Sequence, residues 1–486
     1  VLRQQVLELL QVTILPFGPN SVFAMNNRSF RPVISGFAVT RLWLICAALI
    51  LAQLAATTAQ AQRSIPLLRD AEVEALVASY VVPILRAAGI RGNSVEVILV
   101  NDRDFNAFVA DGRRIFINVG VIMQADTPNE VIGVLAHETG HLAGAHLTRL
   151  RQQIARSQII SAVSMLAGAA AMAAAAGTGN SEAAVLGQGI AAGGQQAAQR
   201  SLLSYQRDEE LAADRAAITY LNATNQSAAG MLRVFERFAD QTMFTGRFID
   251  PYARSHPMAR ERINQIERLA QRSPHFGRQD SAELQLRHDM AKARLTALLE
   301  GQRTVARRYP NSDTSLPAQY ARALVEGRTG SPRNAVGQLD QLIRAQPSNP
   351  FFWEARGTVL FEAGNPREAA QSWQRALELA PNLSILRVYY GAALVETGDD
   401  NLLPAAIGEL ERGLANDTGL AFGFRFLGQA YARNGNTAMA QLASGLEAFA
   451  RGDVEGAKGF ARRAQQNLPR GSTGWLRAAD ILDYDG

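Results

Sequence analysis

The chain of 486 residues has one cysteine, Cys46, so it can close no disulfide of its own. Everything after Cys46 lacks a thiol, which excludes cysteine-based catalysis from any folded body downstream. Histidine is nearly as scarce, with six residues in all, so histidines that share one helix face carry information. Charged residues make up 19% of the chain. The net charge of +5 is concentrated at the start, where Arg3, Arg28, Arg31 and Arg41 face Glu8 alone. Without those five charges, 45 basic residues face 43 acidic ones. No electrostatic case for nucleic acid remains. What is present is 47% hydrophobic residues, enough for sizeable cores, in a length that suggests two or three domains.

From Met25 the sequence reads as an export signal, with residues 1–24 as upstream sequence. Arg28, Arg31 and Arg41 lead into the apolar "LWLICAALILAQLAA", and Ala59 and Ala61 are the small residues of a cleavage site before Gln62. The apolar core is shorter than a comfortable membrane span. Ile45 before Cys46 is too large for a lipoprotein signal. Residues 1–61 are therefore expected to be removed. Export without disulfides fits the bacterial periplasm.

A helix is expected over 64–92, a strand in "SVEVILVND", and a hairpin in "FNAFVADGRRIFINVGVIM" with its turn near Asp111–Gly112. "TPNEVIGVLAHETGHLAGAHLTRL" is read as a helix capped by Thr127 or Asn129. Residues 159–176 are uncharged, and ten of those eighteen are alanine or glycine. A weak drive into lipid follows, and a packed or membrane-grazing helical hairpin is expected. Composition turns polar around 276–285. That places one domain at 62–278 and a second at 279–486.

The second domain repeats itself. From Pro350, the residues Trp353, Gly357, Leu360, Gly364, Ala369, Trp373, Ala376 and Pro381 fall where a 34-residue helix-turn-helix unit needs bulky, small and turn residues. Neighbouring units show Ala323, Gly330, Ala335, Leu339 and Pro347, then Gly391, Leu394 and Gly398. Later ones show Phe424, Gly428, Tyr431 and Gly435, then Gly452, Ala457, Ala464 and Pro469. The pattern resembles the tetratricopeptide repeat, an all-α solenoid whose concave surface binds proteins.

"AHETGH" carries the chemistry. His137 and His141 stand four residues apart on one helix face, so both rings can reach one metal. Glu138 is placed to hold a water beside that metal as general base. Catalytic zinc usually takes a third protein ligand. His146 is one residue out of register for a three-histidine pattern, and on a continuing helix it points about 140° away from His141. It is read as structural. "EELAAD" is the better source: Glu210 can complete the site, and Asp214, four residues on, can accept from a ligand histidine's other nitrogen. Glu209 is the rival, but its four-residue partner is Ala213. His275 and His288 carry no signal.

His137-Glu138-Thr139-Gly140-His141 with Glu210-Leu211-Ala212-Ala213-Asp214 resembles gluzincin metallopeptidases related to the CAAX prenyl endopeptidases. "NAFVADGRRIFINVGVI" and "SHPMARERI", with His256, Pro257 and Arg262, are similar to that family's flanking motifs. Asp111 departs from the family, which often has proline there. The resemblance implies a zincin-like α+β domain, mainly α with a small β-sheet, ahead of the repeat solenoid. It implies Zn2+ as cofactor and a resting state in which His256 reaches the metal, as a fourth ligand or as an aid to the oxyanion. It also implies a periplasmic endopeptidase acting on unfolded or stalled outer-membrane proteins, with repeats that contact the barrel assembly machinery. "RRIFINVG" is expected to be an edge strand on which extended substrate could add. The alternative is a chaperone or adaptor with a latent or structural zinc site.

Overall fold

The computed structural model describes residues 65–484 except Asn93, 179–180, 245–250, 258–259, Asn416 and Thr418. The proposed leader, its cleavage site and Cys46 lie outside the described residues. Ile65–Gly486 forms a compact unit by itself.

The first strands are short. β1 (Leu67–Leu68) precedes helix α1 (Ala71–Ala87), which opens on Asp70, whose carboxylate accepts from the Glu72 and Val73 amides. β2 (Glu96–Val100), β3 (Ala107–Asp111) and β4 (Arg114–Asn118) complete a four-stranded sheet in the order β1-β2-β4-β3. β3 and β4 are the expected antiparallel hairpin, with Asp111 opposite Arg114 and an irregularity between Val109 and Asp111. β2 pairs parallel to β4, from Glu96–Arg114 to Val100–Asn118. β4 is therefore an inner strand, which corrects the expectation that "RRIFINVG" forms the edge. Its buried Ile115, Phe116 and Ile117 take neighbours on both sides; among the described residues β3 and the two-residue β1 are the outer strands.

A short helix, α2 (Val119–Gln124), leads to α3 (Pro128–Ala143). Pro128 sits in the first turn of α3, where its missing N–H costs nothing. Thr127 holds the cap position without capping, while Asn129 bonds to Ser227 and Gly230 of the next layer. Nearly every residue of α3 is buried. Two long helices follow, α4 (His146–Thr178) and α5 (Ser181–Ala223), packed together as a hairpin. α6 (Ala229–Phe244), α7 (Pro251–Ser255) and α8 (Arg260–Ala270) close the domain. Its core joins α1, the sheet, α3, the end of α5 and α6, through residues such as Val73, Ile115, Leu135, Leu221 and Phe235.

From α9 (Ala282–Leu299) onward the chain is helical. Helix Pro350–Glu362 pairs with Pro366–Leu379, and Gly357 lets Trp373 lie against its backbone; a Cβ there would stand 2.6 Å from the indole. The architecture is thus an α+β domain followed by an all-α repeat array. α9 belongs to both cores: Ala291 and Leu295 pack on the first, Met290 and Ala293 on the repeats. A buried polar cluster crosses the same junction. Arg294 reaches Asp70 at 2.6 Å and Glu354 at 2.7 Å, and Tyr320 donates to Glu72 at 2.9 Å.

Candidate metal centre

α3 and α5 carry the site because their backbones come unusually close. A Cβ on Gly140 would stand 2.7 Å from the Ala213 carbonyl oxygen, and Ala213 and Ala217 are wholly buried at this crossing. Small residues on both helices set His137 and His141 of α3 facing Glu210 of α5.

Donor atoms of His137, His141, Glu210 and His256 all lie within 4.8 Å of one another. His137 Nε2 is 3.0 Å from His141 Nε2, 3.2 Å from His256 Nδ1 and 3.4 Å from Glu210 Oε2. Glu210 is 3.6 Å from His141 Nε2 and 3.0 Å from His256 Nδ1. Ligand bonds of 2.0–2.1 Å in a tetrahedron require ligand–ligand edges of about 3.3 Å. The donors fit one metal ion of that size. His256 stands at the fourth corner. Its N–H still bonds to the Tyr252 carbonyl at 2.8 Å, and Pro257 follows, so α7 stops with this ring turned inward.

His137 has a carboxylate behind it. His137 Nδ1 is 2.9 Å from Asp214 Oδ1. Arg262 grips Asp214 through Nε and Nη2 at 2.5 and 2.7 Å, and its Nη1 lies 3.1 Å from Glu210. Arg262 also covers the Phe235 ring, 5.0 Å from its centroid. Burial opposes ionisation of Glu210, but His256 and Arg262 outweigh it and hold the carboxyl well below its usual range. Burial likewise opposes Asp214, and Arg262 reverses the balance.

Glu138 is the opposite case. Burial pushes its carboxyl up to about 7, more than the neighbouring histidines pull it down. Its Oε1 is buried without a hydrogen-bond partner among the described residues, 3.3 Å from His256 Nε2. A lone acceptor of that basicity, next to four convergent donors, suits a group that takes and returns a proton.

His146 is outside the four-donor group, as the sequence reading had it, but its ring does not point away from His141. α3 ends at Ala143 with Gly144 as its cap, Ala145 takes a φ of 50°, and α4 starts at His146. The helix does not continue, so the ring swings back until its Nδ1 lies 3.0 Å from His141 Nδ1. A Cβ at Gly144 would meet the His146 ring at 2.0 Å, so only glycine leaves room for it. Glu209, the rival ligand, lies 2.8 Å from His146 Nε2 and outside the four-donor group. Gly144 beside Ala145 was the available signal. Arg262 is singled out by the "SHPMARERI" motif, but its double grip on Asp214 depends on the fold. His288 bridges Tyr80 and the Ala125 carbonyl, far from this cluster in role.

A buried four-donor group with an unpartnered glutamate defines a metallopeptidase centre. Residues 67–270 match Peptidase family M48, and 320–384 and 354–421 match the tetratricopeptide repeat. The chain carries an M48 metallopeptidase domain followed by tetratricopeptide repeats. It is 27% identical over 393 residues to a putative beta-barrel assembly-enhancing protease of Vibrio cholerae, covering 79% of this chain and 78% of that one. Over 407 residues it is 23% identical to the beta-barrel assembly-enhancing protease of Escherichia coli K12, covering 80% and 78%. The crystal structure of YrrB, a TPR protein, is 25% identical over 35% of this chain and 88% of its own, with a TM-score of 0.29, too low to carry an argument.

Proposed function

We propose that this protein is a zinc endopeptidase of the bacterial periplasm. His137, His141 and Glu210 hold the metal, with His256 as a fourth ligand at rest. The observation that carries this is the convergence of those four donors within 4.8 Å beside the unpartnered Glu138 Oε1. Zinc, when bound, supplies Lewis acidity toward a peptide carbonyl. Glu138 takes the proton of the attacking water and passes it to the leaving amine. Asp214 fixes the His137 tautomer and is itself steadied by Arg262. β3, the outer strand beside α3, is where an extended segment adds as a strand; main-chain pairing of that kind selects unfolded chains rather than a side chain.

The relatives' name supports a role in the quality control and assembly of outer-membrane proteins. Stalled or unfolded outer-membrane proteins are then the substrates, and the repeats are the surface that meets the barrel assembly machinery. The working division is a leader at 1–61, a peptidase domain at 62–278 and repeats at 279–486. Gln62–Gly486 should cleave casein, lose that activity as Glu138→Gln and gain it as His256→Ala. Unchanged cleavage by Glu138→Gln refutes the peptidase assignment.

One observation favours a second reading, a chaperone or adaptor with a latent or structural zinc site: His256 closes the donor set, and closed sites are structural. If Gln62–Gly486 and His256→Ala both hold zinc and neither cuts, while aggregation of unfolded barrel proteins is suppressed, that reading replaces the first.

A further inference from the structure

α4 and α5 extend from the metal centre as a two-helix hairpin whose outer surface the rest of the protein leaves bare. Between Arg156 and Arg200 there is one charged residue, Glu182. Leu166 is 72% exposed and Leu186 67%. Ile159, Ile160, Val163, Met165, Val185 and Ile190 are also exposed. His146–Ala175 is long and apolar enough to cross a membrane, and it is neither an N-terminal leader nor a buried core helix.

Its seam is built of small residues. Ser157, Gly168 and Ala175 of α4, and Gly187 and Ala198 of α5, are the buried positions. A Cβ on Gly168 would stand 2.5 Å from the Gly187 carbonyl oxygen, and one on Gly187 2.7 Å from that of Gly168. Helices in lipid associate through such close backbone contact, because bulky side chains gain nothing by leaving lipid for each other. In water the same hairpin would hide its leucines and expose its alanines.

We propose that this hairpin inserts into a lipid bilayer with anionic headgroups. The segment 157–178 is about 33 Å long at 1.5 Å per residue, close to the hydrocarbon thickness of a bilayer. The apolar side chains do not form one face. Ile159, Val163 and Leu166 share one side of α4, whereas Met165 and Met172, seven residues apart, share another. A protein partner covers one side; lipid covers all of them. Gln153 Nε2 donates to Ser201 Oγ at 3.2 Å, which sets Arg156 near the level of Arg200, with Arg151 and then Arg207 one to two turns closer to the metal centre. These four exposed arginines collar the foot of the hairpin against one exposed acid, Asp208. Lipid phosphates complement such a collar. Glu210 follows Arg207 by three residues, so the metal centre sits directly behind the headgroup level. Polypeptide emerging at a membrane surface would meet it first. The membrane contact itself does not depend on the peptidase assignment.

The test is flotation of Gln62–Gly486, which contains the whole compact unit, with vesicles of equal parts phosphatidylcholine and phosphatidylglycerol or of phosphatidylcholine alone. The protein should float with the mixed vesicles, and a Leu166→Glu/Leu186→Glu variant with unchanged helix content should bind at least about tenfold less. Arg151→Glu/Arg156→Glu should lose the preference for anionic lipid. Failure of the parent to float with either vesicle overturns the proposal, as does equal binding by the leucine variant. So does a lipid-free dimer that Leu166→Glu/Leu186→Glu dissolves, which would assign the hairpin to a second copy.

Discussion

His146 Nδ1 lies 3.0 Å from His141 Nδ1 on the side away from the metal-facing nitrogen, and Glu209 holds the far side of the His146 ring at 2.8 Å. The ring is kept neutral, because burial and then His141 push its pKa down to about 3. A neutral His146 can accept the His141 Nδ1 proton, which leaves His141 Nε2 free for a metal. Partners of this kind are worth roughly ten- to a hundredfold in metal affinity. His146→Ala should weaken zinc binding by about that factor, measured by competition with a chelating dye, with the fold retained by circular dichroism. Unchanged affinity would return His146 to a packing role.

Arg262 is, among the described residues, the one cation buried against both Asp214 and Glu210. Removing it strands two buried carboxylates. Arg262→Met should cost about 3–5 kcal/mol of stability, the range for breaking a buried ion pair from one side. Urea denaturation of the two proteins checks this. A loss below about 1 kcal/mol would mean that His137 and His256 alone suffice.

The α3–α5 crossing predicts a steric effect at Gly140. Any side chain there must displace the Ala213 backbone, 2.7 Å from an added Cβ. Gly140→Val should destabilise the protein by about 1–3 kcal/mol, as overpacking does, and lower zinc affinity as His141 and Glu210 separate. Gly337, where an added Cβ meets nothing, is the control.

At the junction of the two domains, Glu72 is buried, which pushes its carboxyl up from 4.5 to about 7, against the pull of Arg294. The unfolded chain releases this proton near pH 4.5 while the folded one keeps it to about pH 7. Folding stability from this group therefore falls as pH rises from about 4.5 to 7 and is level above. Glu72→Gln should remove that slope, so its urea midpoint should gain on the parent between about pH 5 and pH 8. Parallel pH curves would contradict the assignment.

Much of this was legible because the chemistry is local. His137, Glu138 and His141 need only helical spacing, and Glu210 with Asp214 repeats that logic one helix later. The repeats announced themselves by period, with Gly357 and Trp373 at positions that turn out to touch. The β3–β4 hairpin was legible from its turn, but the parallel β2–β4 pairing was not. Parallel pairing joins strands through a crossover, and nothing in "RRIFINVG" says which side stays free. His146 stays outside the four donors, as read, but its orientation was not legible, because the angle argument assumed an unbroken helix. One residue at positive φ, Ala145, undoes it. Arg262 partners residues 48 and 52 positions away, a relation that only the folded chain contains.

The most direct test of the centre is zinc K-edge X-ray absorption on Gln62–Gly486 in its resting state. Three imidazole nitrogens and one carboxylate oxygen at about 2.0–2.1 Å are the predicted shell, matching His137, His141, His256 and Glu210. A chain that binds no zinc, or a shell with fewer than two imidazoles, would contradict the account.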